Sequence, residues 1–250
     1  MTSSGVYVYA IIPAKAALPP GTAGVGGPPA QVRLVGEGKV RAVVSDAPPQ
    51  LRARRRDLMA HQDLLLRLSD NGPVLPMRFG VIAPDEDSLR HSLGRSQAEH
   101  LATLARLDGA VEFNLKALPA QDALAAVVAE EKTVRRLREE VRRRPDYEAN
   151  VRLGEAVATA LSRRAADAGA KLLRGLTPKA RAVAPGPDVH GCVLNVSFLV
   201  DRSESDAFGT AVRRFADAHR ERVDLRIAGP LPCYSFVPSR ASRPSAAGVV

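Results

Sequence analysis

The chain has 250 residues, 36 Lys+Arg against 27 Asp+Glu, and a formal net charge of +9. Its 45% hydrophobic and 25% charged residues are those of an ordinary folded protein, and it has two cysteines. That excludes wholesale disorder, a collagen-like repeat and a disulfide scaffold, while the length allows one large domain or two of about 100–150 residues.

Near the start, Val6, Val8, Ala10 and Ile12 alternate with Tyr7, Tyr9 and Ile11. Both sets are apolar, which predicts a strand covered on both faces. Residues 13–30 are Pro/Gly-rich and read as a flexible surface loop. Val32 and Leu34, then Val40, Ala42 and Val44, flank Gly36-Glu37-Gly38 as a hairpin. Leu51, Leu58, Leu65, Leu66 and Leu68 mark a helix stopped by Asn71-Gly72-Pro73. A strand-like Val74–Gly80 follows, and then a single helix that opens at Pro84-Asp85-Glu86-Asp87 and ends at Asp108-Gly109.

The second half has a more telling order. Val111, Phe113 and Leu115 alternate as a strand, and residues 121–176 are helical with a break at Pro145, a helical hairpin. Val127, Val134 and Val141 recur every seven residues and form one seam, with Leu153, Val157 and Leu161 on the other arm. A strand near Ala180–Ala184 comes next, then one carrying Cys192, Leu194, Val196, Phe198 and Val200. A helix from Ser203 to Arg220 and a strand with Val223, Leu225 and Ile227 complete a β-α-β-β-α-β order, that of a ferredoxin-like domain. The expected class is α+β, with an N-terminal domain over residues 1–109, a modified ferredoxin-like domain over 110–238 and a disordered tail over 239–250.

The basic surplus invites a polyanion reading. Of 36 basic residues, 30 are arginine and 6 lysine, a bias that a GC-rich coding sequence produces whatever the protein binds. Residues 1–109 hold 13 basic and 10 acidic, residues 110–176 hold 13 and 10, and residues 177–250 hold 10 and 7, so each segment nets +3. The densest runs are Arg52, Arg54, Arg55, Arg56 and Arg142, Arg143, Arg144. The second lies beside Glu139, Glu140, Asp146 and Glu148 and reads as a solvated helix surface. A polyanion-binding module using Arg52–Arg56 stands as an alternative function. RNA-recognition modules share the ferredoxin-like topology, but the strand from His190 to Ser197 has no aromatic for base stacking.

Enzyme signatures are missing: there is no phosphate loop, no GxSxG and no HExxH, and His61, His91, His100, His190 and His219 show no ligand spacing. His61 and Asp63 fall on different faces of one helix, so packing explains them better than acid–base chemistry. Arg78, between Met77 and Phe79, needs either an internal carboxylate or a ligand. Cys192 and Cys233 read as a core thiol and a loop thiol. No run approaches the ~20 apolar residues of a membrane span, and the opening stretch lacks the charged segment of a signal peptide. The expectation is a cytoplasmic, non-enzymatic protein without cofactor or metal.

Three stretches carry a resemblance: Gly5-Val6-Tyr7-Val8-Tyr9, Val74-Leu75-Pro76-Met77-Arg78-Phe79-Gly80, and Gly229-Pro230-Leu231-Pro232-Cys233-Tyr234-Ser235-Phe236. With Ala60-His61-Gln62 and Glu112-Phe113-Asn114-Leu115-Lys116, they resemble the gas vesicle protein F/L family (GvpF/GvpL) from about residue 5 to 237. The closing stretch departs from the family pattern, with Leu231 and Cys233 where tryptophan and proline are usual, and the Pro/Gly loop is enlarged. The resemblance implies an accessory protein of gas vesicle formation. Its partners would be the small hydrophobic shell protein and other gas vesicle accessory proteins, not nucleic acid or membrane. Candidate family-motif or partner-binding residues are Met77, Arg78, Phe79, Val127, Val134, Val141, Tyr234 and Phe236. The helical hairpin is a candidate docking surface, with self-packing of its seams as the plainer account.

Overall fold

The structure is a computed structural model that describes residues 5–238, so the tail expected over 239–250 lies outside the described residues. The chain forms two compact units, residues 5–112 with 231–238, and residues 113–230. The closing segment, expected within the second domain, thus belongs to the first unit.

In the first unit a sheet runs in the order β2 (Arg33–Glu37), β3 (Val40–Asp46), β1 (Val6–Pro13), β4 (Leu75–Pro76), with β5 (Ile82–Ala83) also paired to β1. β1 is central, and every residue from Val6 to Ile12 is buried. Its two faces differ from strict alternation. Tyr7, Tyr9, Ala10 and Ile12 share one core cluster, whereas Val6, Val8 and Ile11 lie in the other. The cause is a register shift against β3, where Val8 faces Val44 and Ala10 faces Val43, so Tyr9 is the extra residue of a bulge. From Ala10 onward the bulge exchanges the two faces.

Helix α1 (Arg55–Asp70) lays Asp57, His61, Leu64, Leu65 and Leu68 against the core at helical spacing. It begins later than the leucine pattern suggested, and Leu58 is exposed. The expected single helix over 84–107 is two, α2 (Glu86–Arg95) and α3 (Gln97–Leu107), separated at Ser96. α2 has the anticipated start, with the Asp85 carboxylate accepting from the Ser88 N–H at 2.7 Å.

The Pro/Gly loop is tied into the core rather than lying free on the surface. Val25 is fully buried and its N–H donates to the Tyr9 hydroxyl at 2.8 Å. The next N–H, that of Gly26, donates to the buried Asp57 carboxylate at 2.9 Å. Gly26 has φ +112°, a conformation that glycine adopts without the clash a β-carbon would bring.

The second unit contains most of β6 (Ala110–Pro119), then α4 (Leu124–Glu130), α5 (Lys132–Arg143), α6 (Tyr147–Leu176), β7 (Ala182–Pro185), β8 (Leu194–Asp201), α7 (Ser205–His219) and β9 (Val223–Leu231). Its sheet has the order β7-β8-β6-β9, with β7 antiparallel to β8. Ala165 and Ala168 of α6 pack on Ala117 and Val223 of the sheet, and Phe208 of α7 meets the rings of Phe113 and Phe198. Cys192, expected within the long strand, precedes β8, where its thiol donates to the Leu194 carbonyl at 2.8 Å.

Candidate functional site

Most of the residues that carry the family resemblance lie in the first unit. Tyr7 and Tyr9 of β1, His61 of α1 and Phe79 of the loop after β4 form one ring cluster. The Tyr7 and Tyr9 centroids lie 4.6 Å apart, and Phe79 is edge-on to Tyr7 at 5.9 Å and to His61 at 5.8 Å. Tyr234, from the closing segment, packs against the same core. Residues more than 200 positions apart in sequence are therefore members of one structural feature.

The polar atoms in the cluster form a directed chain. The Met77 carbonyl can only accept, so His61 Nε2 carries the hydrogen and donates to it at 3.0 Å. His61 Nδ1 then accepts from the Tyr7 hydroxyl at 2.8 Å, and that hydroxyl accepts from the Gly80 N–H at 3.3 Å. Burial lowers the His61 pKa below its ordinary value, partly opposed by the bond to the Met77 carbonyl. Burial also raises the Tyr7 and Tyr9 phenols. Both ring nitrogens of His61 are occupied, and burial favours the neutral ring. The network holds the Met77–Gly80 loop against β1, and the Met77 N–H adds a bond to the Tyr9 carbonyl at 2.8 Å.

A second tie joins Glu112 to the closing segment. The buried Glu112 carboxylate accepts from the Ser235 N–H at 2.8 Å and from the Ser235 hydroxyl at 2.7 Å. The Arg106 guanidinium donates to the Phe236 carbonyl, and Phe236 is itself buried. Tyr234 is pushed up to about 12, first by burial and then by the Glu112 charge. These contacts explain why the segment after Leu231 belongs to the first unit. Sequence reading singled out Tyr234 and Phe236 but gave Glu112 no role. The signal was a carboxylate set between Val111 and Phe113 in an apolar strand, which requires an internal donor.

The remaining candidates are distributed differently. Met77 and Phe79 are half-buried, while Arg78 is exposed, lies beyond the end of β4, and has no side-chain partner among the described residues. Among the described residues no carboxylate pairs with it, because the segment leaves the sheet after Pro76 and the side chain reaches solvent. In the second unit Val127 and Val134 are buried with Ala160 between the arms of the hairpin, flanked by Leu153, Ala156, Val157 and Leu161, and Val141 is half-buried. The seam thus packs α4 and α5 against α6. Ion pairs fasten its edges: Arg163 to Glu131 at 2.7 Å, Arg164 to Glu130 at 2.9 Å and Arg152 to Glu140 at 2.9 Å.

Arg52, Arg54 and Arg55 are exposed, and Arg56 lies 3.4 Å from the Asp57 carboxylate. Among the described residues no group of three or more His, Cys, Asp or Glu could hold a metal, and no helix is long and apolar enough to cross a membrane. In the first unit a cavity of about 10 Å3 lies beside Val74, Leu107 and Cys233; in the second, an open crevice of about 380 Å3 lies beside Lys179, Arg181 and Phe208.

Together these features define a mixed α/β protein whose signature residues build a core and a chain closure. The chain belongs to the family described as gas vesicle synthesis protein GvpL/GvpF, whose model matches residues 5–238. It is 41% identical over 235 residues to gas vesicle protein F of Streptomyces sp. (strain CB03234), covering 92% of this chain and 98% of that protein. It is 31% identical over 255 residues to gas vesicle protein L of the same strain, covering 92% and 91%. Its fold is similar to the crystal structure of gas vesicle protein GvpF from Anabaena sp. PCC7120, with a TM-score of 0.76 at 22% identity, covering 95% of this chain and 99% of that one. Family membership supports a gas vesicle accessory role, and nothing in the comparisons supports nucleic-acid binding.

Proposed function

We propose that this protein is a non-enzymatic assembly factor that binds the small hydrophobic shell protein of gas vesicles and assists its incorporation. The observation that carries the reading is the family match over residues 5–238, together with a relative of nearly equal length named gas vesicle protein F. The physical rationale is that a subunit with a large apolar face needs that face occupied or oriented before it polymerises. Other gas vesicle accessory proteins are further partners in this reading, and the protein associates with the vesicle.

Two finer points belong to the same proposal. Across the sheet of the second unit the strands lie second, third, first, fourth in chain order, which supports a modified ferredoxin-like arrangement with the helical hairpin in place of its first helix. Of the motif residues, Arg78 is exposed and available for partner contact. Met77, Phe79, Tyr234 and Phe236 belong with Arg78 to the first unit, while in the second unit Val127, Val134 and Val141 lie on the seam of the helical hairpin, a separate candidate docking surface.

Co-expression with the shell protein, followed by affinity capture of this chain, tests the reading. Retention of the shell protein, and its loss to aggregates when this chain is omitted, is the expected result. Failure to retain it at every salt concentration would sink the proposal.

A further inference from the structure

Residues Lys132 to Arg144 carry seven basic side chains against two carboxylates, Glu139 and Glu140. These thirteen positions therefore hold +5 of the chain's +9. The division into segments hid this concentration, because the rest of residues 110–176 holds six basic residues against eight acidic ones, Asp146 and Glu148 beside Tyr147 among them.

Charge pairing distinguishes this helix from α6, against which it packs. Val134 and Leu137 of α5 are buried and Val141 is half-buried. Lys132, Arg135, Arg136, Arg142 and Arg143 therefore fall on the outward side, at helical spacing over about 16 Å. All five are exposed, and none has a side-chain partner among the described residues. Arginines of α6 show the opposite pattern, since Arg163, Arg164 and Arg152 take Glu131, Glu130 and Glu140. That leaves Glu139 as the uncommitted carboxylate on α5. Immediately past Arg144, Tyr147 is 82% exposed at the start of α6.

We propose that the outward face of α5, with Tyr147 at its end, docks an acidic segment of a partner protein. Guanidinium groups bind carboxylates in paired, planar geometry, and tyrosine beside arginine is the composition of energetic centres in protein interfaces. A membrane surface fits less well, because the apolar side of α5 is consumed by α6 and cannot enter lipid. Single-stranded nucleic acid fits less well too, because successive bases need several aromatic platforms and α5 contains none. The inference goes beyond the shell-protein reading and stands on the second unit whichever protein supplies the acidic segment.

The test uses the full chain and a fluorescent amphipathic peptide with glutamates at helical spacing and leucines between them, followed by anisotropy at about 50 and 200 mM salt. Duplex DNA and phosphatidylserine vesicles serve as competing probes. The variant R135A/R136A/R143A should weaken peptide binding by about tenfold or more, and Y147A by about threefold. The variant R52A/R54A/R55A removes the same charge elsewhere and should change binding less than about twofold. Unchanged far-UV circular dichroism establishes that all three variants fold. Equal losses from the two triple variants, tighter binding of DNA or vesicles than of peptide, or no peptide binding at low salt would each overturn the proposal.

Discussion

The hydroxyl of Tyr7 donates to Nδ1 of His61 at 2.8 Å, joining the first strand to the first helix inside the core. The same oxygen accepts from the Gly80 N–H, and the other nitrogen of His61 holds the Met77 carbonyl. Tyr7 and His61 thus fasten the loop that contains Arg78 through Gly80 and Met77 on either side of it. Tyr7→Phe keeps the ring contacts but leaves Nδ1 without its donor and the Gly80 N–H without its acceptor. The expected loss is about 1–3 kcal/mol in urea unfolding, most of it the desolvation left uncompensated. Hydrogen exchange at Gly80 should accelerate in the same variant.

Acid should loosen this region before it affects the carboxylates. A neutral ring satisfies both neighbours. A charged one would present a second N–H to the Tyr7 oxygen, whose own hydrogen would then need a new acceptor. Because the folded pKa of His61 lies below its ordinary value, the unfolded chain binds the proton more readily. Stability is therefore full above about pH 6.5 and falls as pH drops below that. Asp57 is lowered chiefly by the Gly26 N–H, so its contribution is lost only below about pH 4. Unfolding midpoints measured from pH 7.5 down to about 5 should decline in wild type and stay nearly flat in His61→Gln.

Periodicity revealed the elements but not the faces of the central strand. Alternation over Val6–Ile12 was plain, yet the bulge at Tyr9 depends on where its hydroxyl and carbonyl find partners, Val25 and Met77, which lie far along the chain. The loop over 13–30 was read from composition, and composition cannot show that Val25 fits a core or that Gly26 caps a buried carboxylate. At the split only Gly94, two residues before Ser96, interrupts the pattern, and the leucine spacing from Leu89 to Leu107 ran across it. The motif residues were legible as a set, because Tyr7, His61, Phe79 and Tyr234 were singled out from separate stretches. Their joint position was not, since local spacing carries no information about contacts across 200 residues.

Glu112 is the anchor of the closing segment, and two substitutions separate its charge from its shape. In Glu112→Gln the amide oxygen can still accept from the Ser235 N–H, while the Ser235 hydroxyl turns to accept from the amide nitrogen. Only the charge assistance is lost, about 1 kcal/mol. Glu112→Leu removes both acceptors and should cost about 2–3 kcal/mol. Limited proteolysis should then cut near Ser235 faster in Glu112→Leu than in wild type, with Glu112→Gln in between.

Val134 and Val141 occupy equivalent positions on one seam but not equivalent environments. Val134 is 1% exposed in a cluster with Val127 and Ala160, whereas Val141 is half-buried near the end of α5. Val134→Ala removes about two methylene equivalents from a packed site and should cost about 2 kcal/mol, cavity included. Val141→Ala should cost less than about 1 kcal/mol, because solvent already reaches it. Hydrogen exchange along α5 distinguishes them, with faster exchange across the helix for Val134→Ala and only terminal fraying for Val141→Ala. The outward arginines of α5 should behave in the reverse manner. Their removal should leave exchange in the helix core unchanged, because all of them are exposed and none has a side-chain partner among the described residues.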